Sequence, residues 1–215
     1  VLPRTAEVRD NHLFIGGVDM VKLAHEEGTA LYVFDEADLR YRMESYRESF
    51  HSRYENSDIA YASKAFLNKE VVRIANEEGM CLDVSGGGEL ACAQMAGFPM
   101  ERVVVHGNNK TPAELTEAIS AGAGRIVVDS RIELARVSEI AGKLGVEQAI
   151  LMRITPGVEA DTHEYIRTGC EDSKFGFTML NDFAFSCVKD AVAAPNVKLV
   201  GFHCHIGSQI FALHS

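Results

Sequence analysis

The sequence predicts an α/β fold built as a parallel (β/α)8, TIM-type barrel, and three observations carry that prediction. Short apolar runs recur at 59–62, 81–84, 103–106, 125–128, 149–154 and 199–205, so that their first residues fall 22, 22, 22, 24 and 50 positions apart. Helical patterns with readable ends separate the runs, which makes a sheet of parallel strands the economical connection. Most of the runs also end in polar or charged residues: Lys64, Asp83 with Ser85, His106 with Asn108 and Asn109, Asp129 with Ser130, Arg153, and His205 with Ser208. Polar groups gathered at the C-terminal ends of many parallel strands are how a barrel of this class builds a site.

Taken in order, the first 35 residues stand outside the repeat. Residues 12–17 and 29–34 are strand-like and flank a helical stretch around 21–27; Asp35 then caps a long amphipathic helix through about Tyr54. Asn68 starts the next helix, and Gly79 ends it in the left-handed conformation that glycine tolerates; Gly97 and Gly122 end the following two in the same way. Thr111-Pro112-Ala113-Glu114 reads as a capping box with proline at the first helical position, and Ser130-Arg131-Ile132-Glu133 as a second box. Two other parallel designs fit less well. A leucine-rich solenoid needs a repeating LxxLxLxxN, which is absent, and an open dinucleotide-binding sheet needs glycines where this chain has Ala62-Ser63-Lys64-Ala65-Phe66.

Composition narrows the function. The 215 residues are 47% hydrophobic and 24% charged, enough for a sizeable core, and the net charge of −10 argues against a phosphate backbone as partner. Cys81, Cys92, Cys170, Cys187 and Cys204 are scattered without a CxxC pair, as expected of thiols in a reducing compartment, and no apolar run has the length of a membrane span. The expectation is a soluble cytoplasmic protein.

Lys64 is the residue with the most pointed chemistry. A lysine is ordinarily a solvated surface charge, but one placed just past a buried strand pays for desolvation, which favours the neutral amine and makes it a Schiff-base nucleophile. An aldehyde cofactor or a carbonyl substrate follows from that reading. His203 and His205, two apart on a strand, share a face; a metal site competes with a ligand-contacting role for His205, and a hydrogen-bonded core histidine suits His203. Gly86-Gly87-Gly88 before a helix is either a phosphate cradle or a tight turn, and Glu89 reads as a capping carboxylate. The helix-face acids Glu70, Glu77 and Glu78 read as solvated surface.

Five segments occur together in an order and spacing that resemble one family: Tyr61-Ala62-Ser63-Lys64-Ala65-Phe66, Leu82-Asp83-Val84-Ser85-Gly86-Gly87-Gly88-Glu89-Leu90, His106-Gly107-Asn108-Asn109-Lys110, Asp172-Ser173-Lys174-Phe175-Gly176 and His203-Cys204-His205-Ile206-Gly207-Ser208-Gln209. These resemble the diaminopimelate decarboxylases, which belong to the alanine-racemase-like, fold-type III pyridoxal-phosphate enzymes, and the likeness runs from about His12 to the last residues. The family pattern usually has Val and Ser where this chain has Ser85 and Gly86.

The resemblance implies a role for each matching residue. Lys64 matches the lysine that holds pyridoxal 5'-phosphate covalently, and His205 the histidine stacked on the pyridine ring; these two are the candidate catalytic residues. Asp83 and Arg153 match polar groups near the aldehyde and the ring substituents, Ser208 a serine touching the cofactor, and Ala62 a residue packed beside the ring. Residues 162–166 and the segment ending in Phe175-Gly176 are expected to form a lid or binding loop, with Lys174 in an ion pair, while Asn108, Asn109 and Lys110 line the mouth.

The implied activity is decarboxylation of meso-2,6-diaminopimelate to L-lysine by a homodimer with shared active sites, acting on a small amino acid and on neither nucleic acid nor membrane. The alternatives are another basic amino-acid decarboxylase of this fold, for ornithine, arginine or carboxynorspermidine, and a non-catalytic pyridoxal-phosphate-binding relative. With about six β/α units the barrel is two strands short. The resemblance therefore implies that residues 1–35 belong with a separate C-terminal β-domain, that 36–215 are an incomplete barrel, and that the chain is the N-terminal portion of an enzyme roughly twice as long.

Overall fold

The computed structural model describes residues 2–157 and 175–207, so Cys170, the 162–166 segment, Lys174 and Ser208 lie outside the described residues. The chain forms two compact units, one of Val1–Tyr61 with Ile74–Met80 and one of Ala62–Arg73 with Cys81–Ser215.

In the first unit, β1 (Glu7–Arg9), β2 (His12–Ile15) and β3 (Val18–Asp19) form an antiparallel sheet in that order. Asp10-Asn11 and Gly16-Gly17 all have positive φ, the two-residue turn that matches the twist of a hairpin. Asp19 caps α1 (Met20–Glu27) by accepting from Val21 N and Lys22 N, and Asp35 caps α2 (Glu36–His51) by accepting from Asp38 N. Residues 29–34, expected to be a strand, are irregular, with Leu31, Tyr32 and Val33 exposed. Apolar, β-prone residues make a strand only against a neighbour, and the three-stranded sheet does not include this segment. The acids Glu77 and Glu78, expected to be merely solvated, both pair with Arg40, at 2.6 and 2.8 Å.

The parallel sheet holds β4 (Ala60–Ala62), β5 (Cys81–Val84), β6 (Val103–Val105), β7 (Arg125–Val128), β8 (Gln148–Thr155) and β10 (Val197–His203) in the spatial order β10-β8-β7-β6-β5-β4, and a short β9 (Phe177–Thr178) pairs with β8. The expected repeat is therefore present as an open run of six strands. Helices α3 (Lys69–Glu77), α4 (Gly87–Met95), α5 (Pro112–Ser120), α6 (Arg131–Leu144) and α7 (Phe183–Ala193) connect them. Asn68 accepts from Val71 N at the start of α3, and Thr111 with Glu114 forms the full reciprocal box at α5.

At α6 only half the expected box forms. Ser130 accepts from Glu133 N, but the Glu133 carboxylate turns inward to Lys110 instead of back to the cap. The core lies between sheet and helices, where Leu82, Leu115, Ile126, Ile150, Met152 and Phe177 are fully buried. Burial of an aliphatic side chain of this size is worth about 1.5–3 kcal/mol, and this layer is what fixes the strand ends.

Candidate functional site

The strand ends of the second unit bring most of the expected residues to one side. Lys64 lies in the single 3-10 turn Ser63–Ala65 directly after β4, Asp83 lies within β5, Arg153 within β8, and His205 two residues past the end of β10. The last strand was expected to run through His205 but stops at His203.

In the strand order Lys64 and His205 stand at opposite ends. Burial first, then the charges of Lys64 and Arg153, hold the His205 ring below its ordinary range. Register sets Arg153 of β8 opposite His203 of β10, two residues before His205.

Lys64 is exposed, which departs from the expected desolvated amine. It lies in the turn after β4 and not within the strand, where the sheet's buried layer does not enclose it. Asp83 is better enclosed. Burial pushes its carboxyl up to about 6, with Lys64 pulling it back down and Glu89 adding to the rise. Glu89 itself accepts from Ser85 N at 2.6 Å, so it caps the turn before α4 as expected.

Two histidines complete this side. His106 lies 3.6 Å from Asp83 Oδ1 through Nε2, and its ring meets that of His203 edge-on at 4.7 Å. Burial, together with the charges of His203, Lys110, Arg153 and Lys64, pushes His106 down to about 3; burial, then Arg153 and His205, pushes His203 down to about 4. Both rings are neutral at pH 7, so His106 and Asp83 do not form an ion pair. Asp83 Oδ1 and His203 Nδ1 are buried without a hydrogen-bond partner among the described residues. Such atoms are costly and mark a place that receives a ligand's polar groups.

Behind them runs a buried charge network. Lys110, expected to line the mouth, is 5% exposed; its ammonium pairs with Glu133 at 2.5 Å and donates to Gly107 O at 2.5 Å and to Val127 O at 2.7 Å. Glu133 accepts from Asp129 N at 3.4 Å, and Asp129 faces Arg153 at 3.9 Å. Arg153 is buried, stacks its guanidinium 4.2 Å from the Phe175 ring centroid, and has its pKa lowered by burial against the opposing pull of Asp129. Gly176 N donates to Asp129 Oδ2 at 3.2 Å. Sequence reading missed Asp129 and the Phe175-Gly176 step as partners of Arg153, and Glu133 as the partner of Lys110. The available signal was the position of Asp129, directly after the apolar run Ile126-Val127-Val128.

Comparison with known proteins gives a consistent answer. The family described as "Pyridoxal-dependent decarboxylase, pyridoxal binding domain" matches residues 36–215. Diaminopimelate decarboxylase of Mycobacterium tuberculosis is 50% identical over 197 residues, which cover 92% of this chain and 43% of that protein. The Bacillus subtilis enzyme of the same name is 48% identical over 200 residues, covering 93% of this chain and 46% of that one. Among solved structures, diaminopimelate decarboxylase from M. jannaschii in co-complex with L-lysine superposes with a TM-score of 0.87 at 35% identity, over 98% of this chain and 50% of that one. Lysine/ornithine decarboxylase of Vibrio vulnificus, complexed with putrescine, is 21% identical with a TM-score of 0.66 over 88% of this chain and 46% of that one, and shows a shared fold alone. The chain spans about half the length of the relatives it matches.

Proposed function

This chain belongs to the pyridoxal-dependent decarboxylases, whose pyridoxal-binding domain it carries, and on that premise we propose that it is the cofactor-holding portion of an enzyme converting meso-diaminopimelate to L-lysine. One observation carries the choice of substrate: about half of the residues across more than nine-tenths of the chain are identical in diaminopimelate decarboxylases. The likeness to an ornithine-directed enzyme extends only to the fold.

The residues fit pyridoxal phosphate. An amine, a carboxyl, a guanidinium and neutral imidazoles converge at the strand ends, and the orphaned Asp83 Oδ1 and His203 Nδ1 suit a polar heteroaromatic ring. When bound, that ring supplies a sink for the electron pair left by loss of carbon dioxide. Lys64 would hold the cofactor through its Nζ, and its exposed place past β4 leaves the amine accessible for exchange with the substrate amino group. His205, kept neutral by burial, offers a flat face to stack on the ring and to shield one side of it. Asp83, pushed up to about 6, can take and return a proton beside Lys64 Nζ near neutral pH. Arg153 contributes positive charge beside the histidines; Ala62 would pack next to the ring, and Ser208, outside the described residues, is the candidate hydroxyl contact.

The same reading assigns residues 1–35 to a β-domain completed by sequence beyond residue 215 and 36–215 to the barrel. It also makes the whole enzyme a cytoplasmic homodimer with shared sites. Among the described residues no helix is long and apolar enough to cross a membrane.

The test uses the full-length enzyme containing this segment. With pyridoxal phosphate it should release carbon dioxide from meso-diaminopimelate and not from ornithine, arginine or carboxynorspermidine. Release from one of those instead would move the assignment to another substrate, and binding of the cofactor with no release from any would make the protein a non-catalytic binder.

A further inference from the structure

Among the described residues, Arg153 is a candidate cofactor contact held in place from two separate elements besides its own strand. Its guanidinium faces the Asp129 carboxylate, which projects from the end of β7, and it is stacked on Phe175, which leads into β9. Gly176 closes the clamp from the backbone. Its φ is +72°, its N–H donates to Asp129 Oδ2, and a Cβ built there would lie 2.6 Å from Arg153 O. Only glycine permits that approach.

The clamp is loaded but not saturated. Asp129 is almost wholly buried, its Oδ1 has no hydrogen-bond partner among the described residues, and its separation of 3.9 Å from Arg153 Nη1 is longer than a hydrogen bond. On the far side the Asp129 backbone N–H is tied to Glu133, and Glu133 to Lys110, which anchors the main chain from which the carboxylate projects while Gly176 N–H holds its Oδ2. Toward the site, the Arg153 charge is felt by His106, His203 and His205. A freely rotating arginine keeps about 2 kcal/mol of rotamer entropy, which a clamp removes before the ligand arrives.

We propose that Asp129 and the Phe175-Gly176 step are positioning residues, which aim the Arg153 guanidinium at the cofactor site on the side of His203, His106 and Asp83. They act through Arg153 and touch no reacting atom. The inference rests on the reading of this unit as a pyridoxal-phosphate site.

The experiment compares three variants of the full-length enzyme by equilibrium binding of pyridoxal phosphate, by the visible absorption of the bound cofactor and by denaturant melting. Asp129→Asn keeps the shape and removes the charge opposite Arg153, and should weaken cofactor binding about tenfold with a displaced absorption band. Phe175→Leu removes only the stacking ring and should weaken binding about threefold. Glu133→Gln perturbs the same buried network one residue further from Arg153; it should lower the melting midpoint yet leave cofactor affinity within about twofold. If Asp129→Asn and Glu133→Gln lower stability alike and both leave affinity and absorption unchanged, the clamp is structural only and the proposal falls. Should Asp129→Asn fail to fold, Phe175→Leu decides: unchanged affinity overturns the proposal. A wild-type enzyme that takes up no pyridoxal phosphate would instead overturn the reading of the site on which it rests.

Discussion

Strands β5 to β8 are buried on both faces almost throughout, whereas β4 has no fully buried residue and β10 exposes alternate residues along its length. The side chains follow the same division. Arg153, Asp129 and Lys110, associated with the middle strands, are locked into ion pairs and backbone contacts; Lys64 and His205, which follow the two edge strands, are exposed or half-buried. Among the described residues the charges associated with the middle strands are therefore held most tightly, and Lys64 and His205 least.

Substitutions on either side test that division, and the largest effect is expected at an edge. Lys64→Ala in the full-length enzyme should abolish turnover and cofactor absorbance while shifting stability by no more than about 0.5 kcal/mol, as for other exposed residues away from packing. Retained turnover would remove Lys64 from the chemistry, and a large stability loss would deny that Lys64 is free of structural duty. In the middle, Lys110→Met strands a buried Glu133 carboxylate and should cost about 3–5 kcal/mol in a urea titration, since a buried charge without its partner is not compensated.

A pH effect comes next. His106 and His203 titrate lower in the folded state, about 3 and 4, than the ordinary 6.5, so the unfolded chain binds their protons first. Their contribution to stability is complete above pH 6.5 and is lost as the pH falls toward 4. Asp83, raised to about 6, works the other way between about 6 and 3.8. The acid limb measured for His106→Asn should accordingly be shallower than that of the unsubstituted enzyme, and parallel limbs would show that His106 is not held neutral by the fold. The smallest effect belongs to the scaffold: Thr111→Ala removes the cap of α5 and should lower stability by about 1 kcal/mol without altering cofactor affinity.

How much of this was readable in advance follows from the range of the forces involved. The strand repeat, the cap at Thr111 and the ends of the helices at Gly79, Gly97 and Gly122 depend on neighbours a few residues away, and local pattern found them. The segment 29–34 misled because apolar composition does not reveal whether a partner strand is present. Glu133 misled because Ser130 and Lys110 compete for its carboxylate, and Lys110 is remote in sequence. The exposure of Lys64 depended on its place in the turn after β4, which residue type does not reveal. Motif order singled out Lys64 and His205 as candidates, whereas it gave no sign of the Asp129 to Phe175 clamp, which joins strand ends nearly fifty residues apart.

The hydrogen bonds of Lys110 also bear on selectivity. Two amines lie at strand ends of the same sheet, and an aldehyde could in principle condense with either. Lys110 directs its ammonium to Gly107 O, Val127 O and Glu133, which engages all three of its protons and leaves no lone pair for carbonyl attack. Lys64 is solvent-accessible. On the proposed reading, the fold thereby withholds Lys110 from an incoming aldehyde and leaves Lys64 open to it.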